Sequence, residues 1–323
     1  MRDNRGTVND HFPITHDASA IEEARVAIAE GHLVGMPTET VYGLAADATN
    51  PEAVARVYAA KGRPAFNPLI SHVSSIDMAC QEGLLDDRAL TLAHTFWPGP
   101  LTLVVPVNPE GKTCELARAG LDTIALREPA HPVARALLEV LHVPLAAPSA
   151  NPSGKLSPTS AEDVSLALDD EVALVIDGGR SHLGVESTII GVIPGEPLRL
   201  LRPGAISREE LTPVVGYLSD DESGLISAPG QLSSHYAPNA ALRLNAQRRG
   251  KDEVLIGFGP RAPVNSLNLS KKGDTAEAAA NLYRLLREAD SLGVDRIAVM
   301  PIPDTGLGEA INDRLRRAAA PRD

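Results

Sequence analysis

Short apolar runs alternate with helical segments along most of this chain, and this alternation constrains its fold more than any other feature. Runs such as Leu33–Met36 and Thr123–Arg127 have the length and apolar content of buried strands. Residues 86–96 and 132–142 instead carry the spacing of amphipathic helices. Strands and helices interleave without a regular strand–helix–strand repeat. We therefore predict an α/β fold built on a twisted mixed sheet, and not a doubly wound parallel sheet.

The chain changes character near Thr212. Residues 213–239 contain Gly, Ser, Asp and Pro without sustained periodicity, which predicts a linker. A parallel α/β pattern of strand, helix, strand and helix follows at 253–257, 275–292, 296–300 and 308–318. We therefore predict four parts, namely a loose tail (1–16), a large domain (17–212), a linker (213–239) and a small Rossmann-like α/β domain (240–323).

Composition argues against several classes of protein. The net charge of −12 disfavours a broad nucleic-acid-binding surface, because such surfaces are usually strongly basic. Cys80 and Cys114 stand alone without ligand spacing, so we expect reduced thiols and no protein-held metal. No apolar run approaches the roughly 18 residues that a membrane span needs. Residues 1–16 lack the apolar core of a signal peptide, and we therefore expect a cytoplasmic protein.

Residues 36–72 hold the strongest functional signal. A polar Thr-Glu-Thr follows a short apolar run, Lys61 and Arg63 flank a predicted helix end, and Asn67 and His72 lie just beyond. Cations at a helix exit with hydroxyl groups and an imidazole nearby suit an anionic substrate. The carbonyl groups of a helix C-terminus also attract cations without any function, so neither cation is decisive alone.

Four further polar motifs follow in order along the chain. They are Ala147-Pro148-Ser149-Ala150-Asn151 with Ser157-Pro158-Thr159, Gly184-Val185-Glu186-Ser187-Thr188, Leu201-Arg202-Pro203-Gly204 and Ser234-His235-Tyr236-Ala237-Pro238. Loops with Ser and Asn supply neutral donors for phosphate or carboxylate oxygens, and Arg127 at a strand end can hold a carboxylate through two parallel hydrogen bonds. Taken singly, such loops usually cap their own backbone and such arginines are usually solvated. The functional interpretation therefore depends on the whole set.

Sequence motifs of nucleophilic and metal catalysis are absent. The chain has no GxSxG, no HExxH, no calcium-binding loop and no GxxxxGK[ST]. Gly257-Phe258-Gly259-Pro260 falls short of the dinucleotide-binding GxGxxG, and Pro260 disfavours a turn into a helix. A tight turn at a strand end is the favoured interpretation of that stretch over a nucleotide-binding loop.

Together with residues 36–72, these motifs make the chain resemble YrdC-type enzymes, and the HYAP element resembles that of the longer, Sua-type members. The resemblance covers residues 20–240, and the C-terminal domain fits the long form as well. It implies synthesis of L-threonylcarbamoyladenylate from L-threonine, bicarbonate or CO2, and ATP, with Mg²⁺ on the phosphates and release of pyrophosphate. It further implies that a downstream threonylcarbamoyl-transferase complex uses the product to modify tRNA, without stable tRNA binding here.

The resemblance also implies a role for each matched residue. The expected catalytic residues are Lys61 and Arg63. The expected ATP-binding residues are Lys61, Arg63, Asn67, Thr123, Ser149, Asn151, Ser157, Arg202, His235 and Tyr236. The expected threonine-binding residues are Thr38, Thr40, His72, Arg127, Ala147 and Ser187. The linker lacks the basic residue that many relatives carry just before the His-Tyr pair, so we expect it to make fewer phosphate contacts.

Two other functions fit parts of the pattern. The first is an RNA-binding module with a YrdC-like fold, which the acidic net charge and the absence of basic, aromatic-interleaved stretches disfavour. The second is a carbamoyl-transfer domain of the kind found in hydrogenase-maturation proteins. Those proteins carry zinc-type cysteine clusters and acylphosphatase modules, and this sequence has neither.

Overall fold

The computed structural model describes residues 14–15, 19–168, 171–220, 228–230 and 234–321. In chain order the strands and helices are β1 (Ile14–Thr15), α1 (Ala20–Ala29), β2 (Leu33–Met36), β3 (Gly43–Asp47), α2 (Pro51–Lys61), β4 (Ile70–His72), α3 (Ile76–Glu82), α4 (Asp87–Phe96), β5 (Leu101–Pro106), β6 (Thr123–Arg127), α5 (Pro132–Leu141), β7 (Leu145–Ala146), α6 (Ala161–Ala167), β8 (Val172–Ile176), β9 (Thr188–Gly191), β10 (Arg199–Arg202), α7 (Arg208–Val215), β11 (Ser219–Asp220), β12 (Ala241–Arg243), β13 (Glu253–Gly257), β14 (Leu267–Asn268), α8 (Thr275–Ser291), β15 (Arg296–Val299) and α9 (Gly308–Ala319). A short 3₁₀ helix, Glu115–Arg118, precedes β6.

The first sheet is large and mixed. Within the described residues it has eleven strands in the order β1-β8-β2-β3-β7-β4-β6-β5-β9-β10-β11. Parallel and antiparallel pairs occur side by side, since β6 is parallel to β4 but antiparallel to β5. Helices α1 and α5 cover part of one face through buried Ile28, Leu137 and Leu138. The predicted mixed α/β fold is confirmed.

Local sequence signals set the limits of α2, which carries Lys61 in its last turn. Asn50 Oδ1 accepts hydrogen bonds from the backbone N–H groups of the first turn, and Pro51 occupies the first helical position. Gly62 ends the helix in the left-handed conformation, with φ 55°. The helix end between Lys61 and Arg63 agrees with the prediction from the sequence, and it fixes where the two cations leave the helix.

The second sheet is small and parallel throughout, in the order β12-β15-β13-β14 within the described residues. Helices α8 and α9 pack on it through a core that includes Leu286, Ile297 and Ile311. The predicted small α/β unit is confirmed. Val185 and Tyr236 belong to the same buried cluster, so chain segments from the predicted first domain and linker pack into the core of the second unit.

Parts of the predicted tail and linker form regular structure, which corrects the prediction. Residues 14–15 form β1 parallel to β8, whereas residues 1–13 and 16 lie outside the described residues. Helix α7 continues past Thr212 to Val215. Ser207 and Glu210 form a reciprocal capping box that starts this helix. Strand β11 then adds to the edge of the first sheet beside β10. The division into four parts otherwise stays a prediction.

Candidate functional site

A cleft lies where the ends of β4, β6 and β10 meet residues 229–230 and 235–236 from the predicted linker. About 550 Å³ of empty space lies within it, part of which is open to solvent. The predicted site residues that line it are Thr38, Thr40, Arg63, His72, Arg127, Ala147, Ser149, Ser187, Arg202, His235 and Tyr236. Residues separated by almost two hundred positions in the sequence therefore share one concave surface. Such a concentration of polar groups is typical of a ligand-binding site.

Arg63 and Arg202 form one side of the cleft, which we call the cationic wall. Arg63 donates hydrogen bonds to Asn67 O at 3.0 Å, Asn67 Oδ1 at 2.7 Å and Pro68 O at 2.7 Å. Arg202 donates to Ser187 O at 2.9 and 3.1 Å and to Pro229 O at 3.1 Å. Burial lowers the pKa of Arg63 to about 10, so its guanidinium stays charged at neutral pH. Neutral oxygens hold both side chains, which leaves their charge available to an anion.

Lys61 lies behind the cationic wall and not on the surface of the cleft. Its ammonium group donates hydrogen bonds to Ser149 O at 2.6 Å and Asn151 O at 2.5 Å. Burial, with Arg63 nearby, lowers the pKa of Lys61 well below its ordinary value. These bonds tie the end of α2 to the 149–151 loop. Direct contact between Lys61 and a phosphate stays a prediction.

Several buried polar atoms near the cleft have no hydrogen-bond partner within the described residues. They are His72 Nδ1, Asn67 Nδ2 and Asn151 Oδ1. An unpaired buried polar group typically costs about 1–3 kcal/mol, so proteins rarely leave one without a ligand or water to complete it. Burial, with Arg127 nearby, lowers the pKa of His72 to about 3, which makes its imidazole neutral at physiological pH.

Arg127 forms the opposite side of the cleft, which we call the Arg127 wall. Its Nη2 pairs with Glu39 Oε1 at 2.6 Å, and its Nη1 donates to Thr40 Oγ1 at 3.0 Å. Burial raises the pKa of the Glu39 carboxyl, but Arg127 outweighs this effect and the pKa of Glu39 is lowered overall. The lowered pKa favours the ionised form of the Glu39 carboxyl opposite Arg127. Each terminal guanidinium nitrogen keeps a second N–H for a ligand.

The His-Tyr segment closes a third side. The rings of His235 and Tyr236 lie with their centroids 4.0 Å apart and their planes tilted by 46°, and Tyr236 adopts φ 61°. Gly230, at φ 84°, lies directly against them, because a Cβ placed there would come within 2.7 Å of the Tyr236 hydroxyl. Burial, the largest effect, lowers the pKa of His235 to about 3. Four residues of the predicted linker, Pro229, Gly230, His235 and Tyr236, thus line the cleft.

Four predicted residues lie behind the lining and one lies away from it. Lys61, Asn67, Asn151 and Ser157 are buried behind the cleft surface. Thr123 is not among the residues that line the cleft, and its contact with ATP stays a prediction. Thr123 begins β6 whereas Arg127 ends it, and four steps along a strand span about 13 Å. The side chain of Thr123 is therefore presented at the other end of the strand.

Sequence reasoning missed several residues around the cleft. Glu39, between two predicted threonines, is the ion-pair partner of Arg127. Glu186 also lines the cleft, but from the sequence it is only a member of the motif at 184–188, with no role of its own. The need of a buried arginine for a counter-ion could have indicated Glu39. No local signal connects Glu186 with its partners Tyr283 and Arg314, because they follow it by 97 and 128 positions.

Metal-binding groups, cysteine thiols and membrane-spanning helices would each bear on function. Among the described residues, no group of three or more His, Cys, Asp or Glu side chains is placed to hold a metal ion. Cys80 and Cys114 are free thiols. No helix in the described part of the chain is long and apolar enough to cross a bilayer.

Two sequence families match the chain. Residues 26–204 match the Sua5/YciO/YrdC family, described as Telomere recombination, and residues 206–320 match the family described as Threonylcarbamoyl-AMP synthase, C-terminal domain. The threonylcarbamoyl-AMP synthase of Bacillus subtilis (strain 168) is 39% identical, covering 100% of this chain and 99% of the relative. That of Pyrococcus abyssi (strain GE5 / Orsay) is 40% identical, covering 94% and 96%.

Solved structures agree with the sequence relatives. The crystal structure of P. abyssi Sua5 complexed with L-threonine superposes with a TM-score of 0.85 at 38% identity, covering 93% of this chain and 94% of that one. Family matches on both parts of the chain, full-length relatives and a full-length structural match all point the same way. This chain therefore belongs to the Sua5/YciO/YrdC family, in its long, two-part Sua5 form.

Proposed function

We propose that this protein is a threonylcarbamoyl-AMP synthase, a nucleotidyltransferase that condenses L-threonine, bicarbonate or CO2, and ATP to L-threonylcarbamoyladenylate and pyrophosphate. The observation that carries the proposal is one cleft with two unlike walls. Arg63 and Arg202 present charge that no carboxylate hydrogen bond takes up, whereas Arg127 is paired with Glu39. A polyphosphate suits the first wall and a single carboxylate suits the second.

ATP occupies the cationic wall in this proposal. The triphosphate lies on Arg63 and Arg202, with Ser149 and the His235–Tyr236 rings beside it. Lys61 and Asn151 support the same loop from behind, and the free Asn67 Nδ2 offers a donor from the same side. Mg²⁺ enters with ATP and neutralises part of the phosphate charge. Ser157 acts indirectly, because its hydroxyl donates to Glu186 Oε1 at 2.6 Å.

L-Threonine occupies the Arg127 wall. Its carboxylate takes the remaining N–H groups of Arg127, which Glu39 and Thr40 hold in a fixed orientation. The neutral His72 imidazole offers its unpartnered Nδ1 to the amino acid. Thr38, Ala147 and Ser187 complete the surface, with Ser187 Oγ also within 3.1 Å of Arg202 Nη2. Ser187 therefore marks where the two substrates meet.

The reaction requires alignment and charge stabilisation rather than a side-chain nucleophile. The threonine amine adds to CO2 and loses a proton, which gives a carbamate. A carbamate oxygen then attacks the α-phosphorus of ATP, and the bond to the bridging oxygen breaks to release pyrophosphate. Arg63 and Arg202 stabilise the charge that develops on the phosphates, and the cleft holds the reacting atoms together.

We further propose that the product passes to a downstream threonylcarbamoyl-transferase complex that modifies tRNA in the cytoplasm. The net charge of −12 supports transfer of the small product without stable tRNA binding, since a strongly acidic chain repels the phosphate backbone.

The experiment that tests the activity is pyrophosphate release from Mg²⁺-ATP with a panel of amino acids, with and without bicarbonate. We expect release only when L-threonine and bicarbonate are both present, together with a new AMP conjugate detectable by mass spectrometry. Equal release with threonine omitted would contradict the proposed reaction. Serine and valine are the matched controls, because each lacks one of the two groups on the threonine β-carbon.

A further inference from the structure

Glu186 places a carboxylate on the surface of the cleft beside the cationic wall. It is buried and accepts hydrogen bonds from Ser157 Oγ at 2.6 Å, from the Tyr283 hydroxyl at 2.9 and 3.0 Å, and from Arg314 Nε at 2.7 Å. Tyr283 lies on α8 and Arg314 on α9. Two of the three side chains that hold this carboxylate therefore come from the C-terminal unit.

Arg314 makes the most extensive of these contacts. It is among the largest fully buried side chains of the described residues. Its Nη2 donates to Pro203 O at 3.0 Å, in the turn that follows Arg202, and its Nη1 pairs with Asp313 at 2.5 Å. Its guanidinium also lies 5.0 Å from the centre of the Tyr236 ring. One side chain thus contacts Glu186, the turn after the cationic wall and the His-Tyr segment.

The charge of Glu186 matters because the same part of the cleft receives the ATP phosphates in the proposed function. Burial raises the pKa of this carboxyl, but Arg314 and Arg202 outweigh that effect and lower its pKa to about 2. Glu186 is therefore ionised at neutral pH. A buried carboxylate without its counter-ion would repel a polyphosphate, and it would also partly neutralise the positive charge of Arg202.

We propose that Arg314 is a positioning residue for the nucleotide, which holds and neutralises Glu186 so that the cleft accepts the triphosphate of ATP. In this view the C-terminal unit supplies a counter-charge to a site whose other charged residues belong to the first sheet and its loops. The inference rests on the proposed function for the identity of the ligand, and it adds a role for α9 in that site.

The test is a double-mutant cycle in the full-length chain, with ATP affinity measured by calorimetry. We expect Arg314→Gln to weaken ATP binding about tenfold or more, because it leaves a buried carboxylate without its charged partner. We expect threonine affinity to change less than twofold. The double variant Arg314→Gln/Glu186→Gln should recover ATP affinity to within about threefold of Glu186→Gln alone, because no uncompensated charge remains.

A purely structural role for Arg314 predicts a different result. The double variant would then bind ATP no better than Arg314→Gln, and threonine affinity would fall in parallel, which would overturn the inference. Arg316→Gln, on the exposed side of the same helix, is the matched control and should bind ATP as the unmodified protein does. If Arg314→Gln does not fold, ATP affinity is measured for the single variants Glu186→Gln and Glu186→Ala instead. We expect tighter ATP binding by either variant, and weaker ATP binding by both would contradict the inference.

The outcome for the proposed function is separate. If the unmodified protein neither binds ATP nor releases pyrophosphate with threonine, the proposed function fails. If it does both and the double variant gives no recovery, only the role of Arg314 fails.

Discussion

Arg202 and Arg127 each end a strand of the same sheet and face the same cleft, yet the protein holds them in opposite ways. Arg127 has a carboxylate at 2.6 Å, whereas Arg202 donates to carbonyl and hydroxyl oxygens of Ser187 and Pro229. An ion-paired guanidinium keeps its orientation but contributes little net charge, and one held by neutral oxygens keeps its charge. The first arrangement selects a ligand by geometry and the second by charge. Four predictions test this contrast.

The largest effect is expected on the cationic wall. Arg63→Ala should lower kcat/KM by about 10²-fold or more, because a positioned cation typically contributes a few kcal/mol to a developing phosphate charge. Lys61→Ala should lose a similar factor, through loss of the 149–151 loop geometry. The measurement is steady-state pyrophosphate release, with melting temperature as the fold check. Lys112→Ala, an exposed lysine, is the control. If both variants were as active as the control, Lys61 and Arg63 would have no catalytic role and would only interact with the carbonyl groups at the helix end.

The next effect is expected on the Arg127 wall, where geometry should matter more than charge. Arg127→Lys keeps the charge but loses the planar fork that contacts Glu39 and Thr40, so threonine affinity should fall about tenfold while ATP affinity is kept. Calorimetric titration of each ligand separates the two. Arg135→Lys, a partly exposed arginine on α5, provides the control. An unchanged threonine affinity would remove Arg127 from the substrate site.

A smaller effect is expected where the His-Tyr segment contacts the cationic wall. Gly230→Ala introduces a Cβ within 2.7 Å of the Tyr236 hydroxyl and 3.1 Å of Arg202, at φ 84°. Strain of about 1 kcal/mol would weaken ATP binding about fivefold. Gly195→Ala is a close control, because φ there is 80° but nothing lies within 4 Å. The same loss in both variants would mean that backbone strain alone, and not the contact with Tyr236, causes the effect.

The smallest effect is expected from pH. Threonine affinity should change less than about twofold between pH 5.5 and 7.5, because the groups that face the amino acid do not titrate there. The pKa of His72 is lowered to about 3, below the window, and the pKa of Glu39 is lowered as well. His72 therefore stays neutral and Glu39 stays charged throughout. A fall in affinity centred near pH 6.5 would instead indicate an imidazole with an ordinary pKa.

Much of the fold could be predicted because its signals are local. Asn50, Pro51 and Gly62 fix α2, and apolar runs such as Thr123–Arg127 identify strands without any knowledge of their neighbours. The family and the mixed-sheet fold are confirmed. The helix through Thr212 was missed, although Ser207 and Glu210 signal its start. A chain cut at Thr212 would therefore break α7 and also remove Tyr283 and Arg314, two of the three partners of Glu186.

The site was only partly predictable because its decisive contacts join distant residues. The sequence motifs name Arg127, but they do not indicate that Glu39 neutralises it, and they name Glu186 without its partner Arg314. Thr123 begins β6 whereas Arg127 ends it, so the motif alone does not indicate which part of a ligand Thr123 would meet. Residue identity is local information, whereas compensation of charge is a property of the assembled fold.

The carboxylate of Glu186 also has a consequence for how the molecule unfolds. Ser157 holds it from the part of the chain that carries the first sheet, and Tyr283 and Arg314 hold it from the part that carries the second. If either sheet melted alone, an ionised carboxylate or a buried guanidinium would be left unpaired in the part that remained folded. Partial unfolding at this boundary is therefore disfavoured, and heating should produce one cooperative calorimetric transition and not two separate ones.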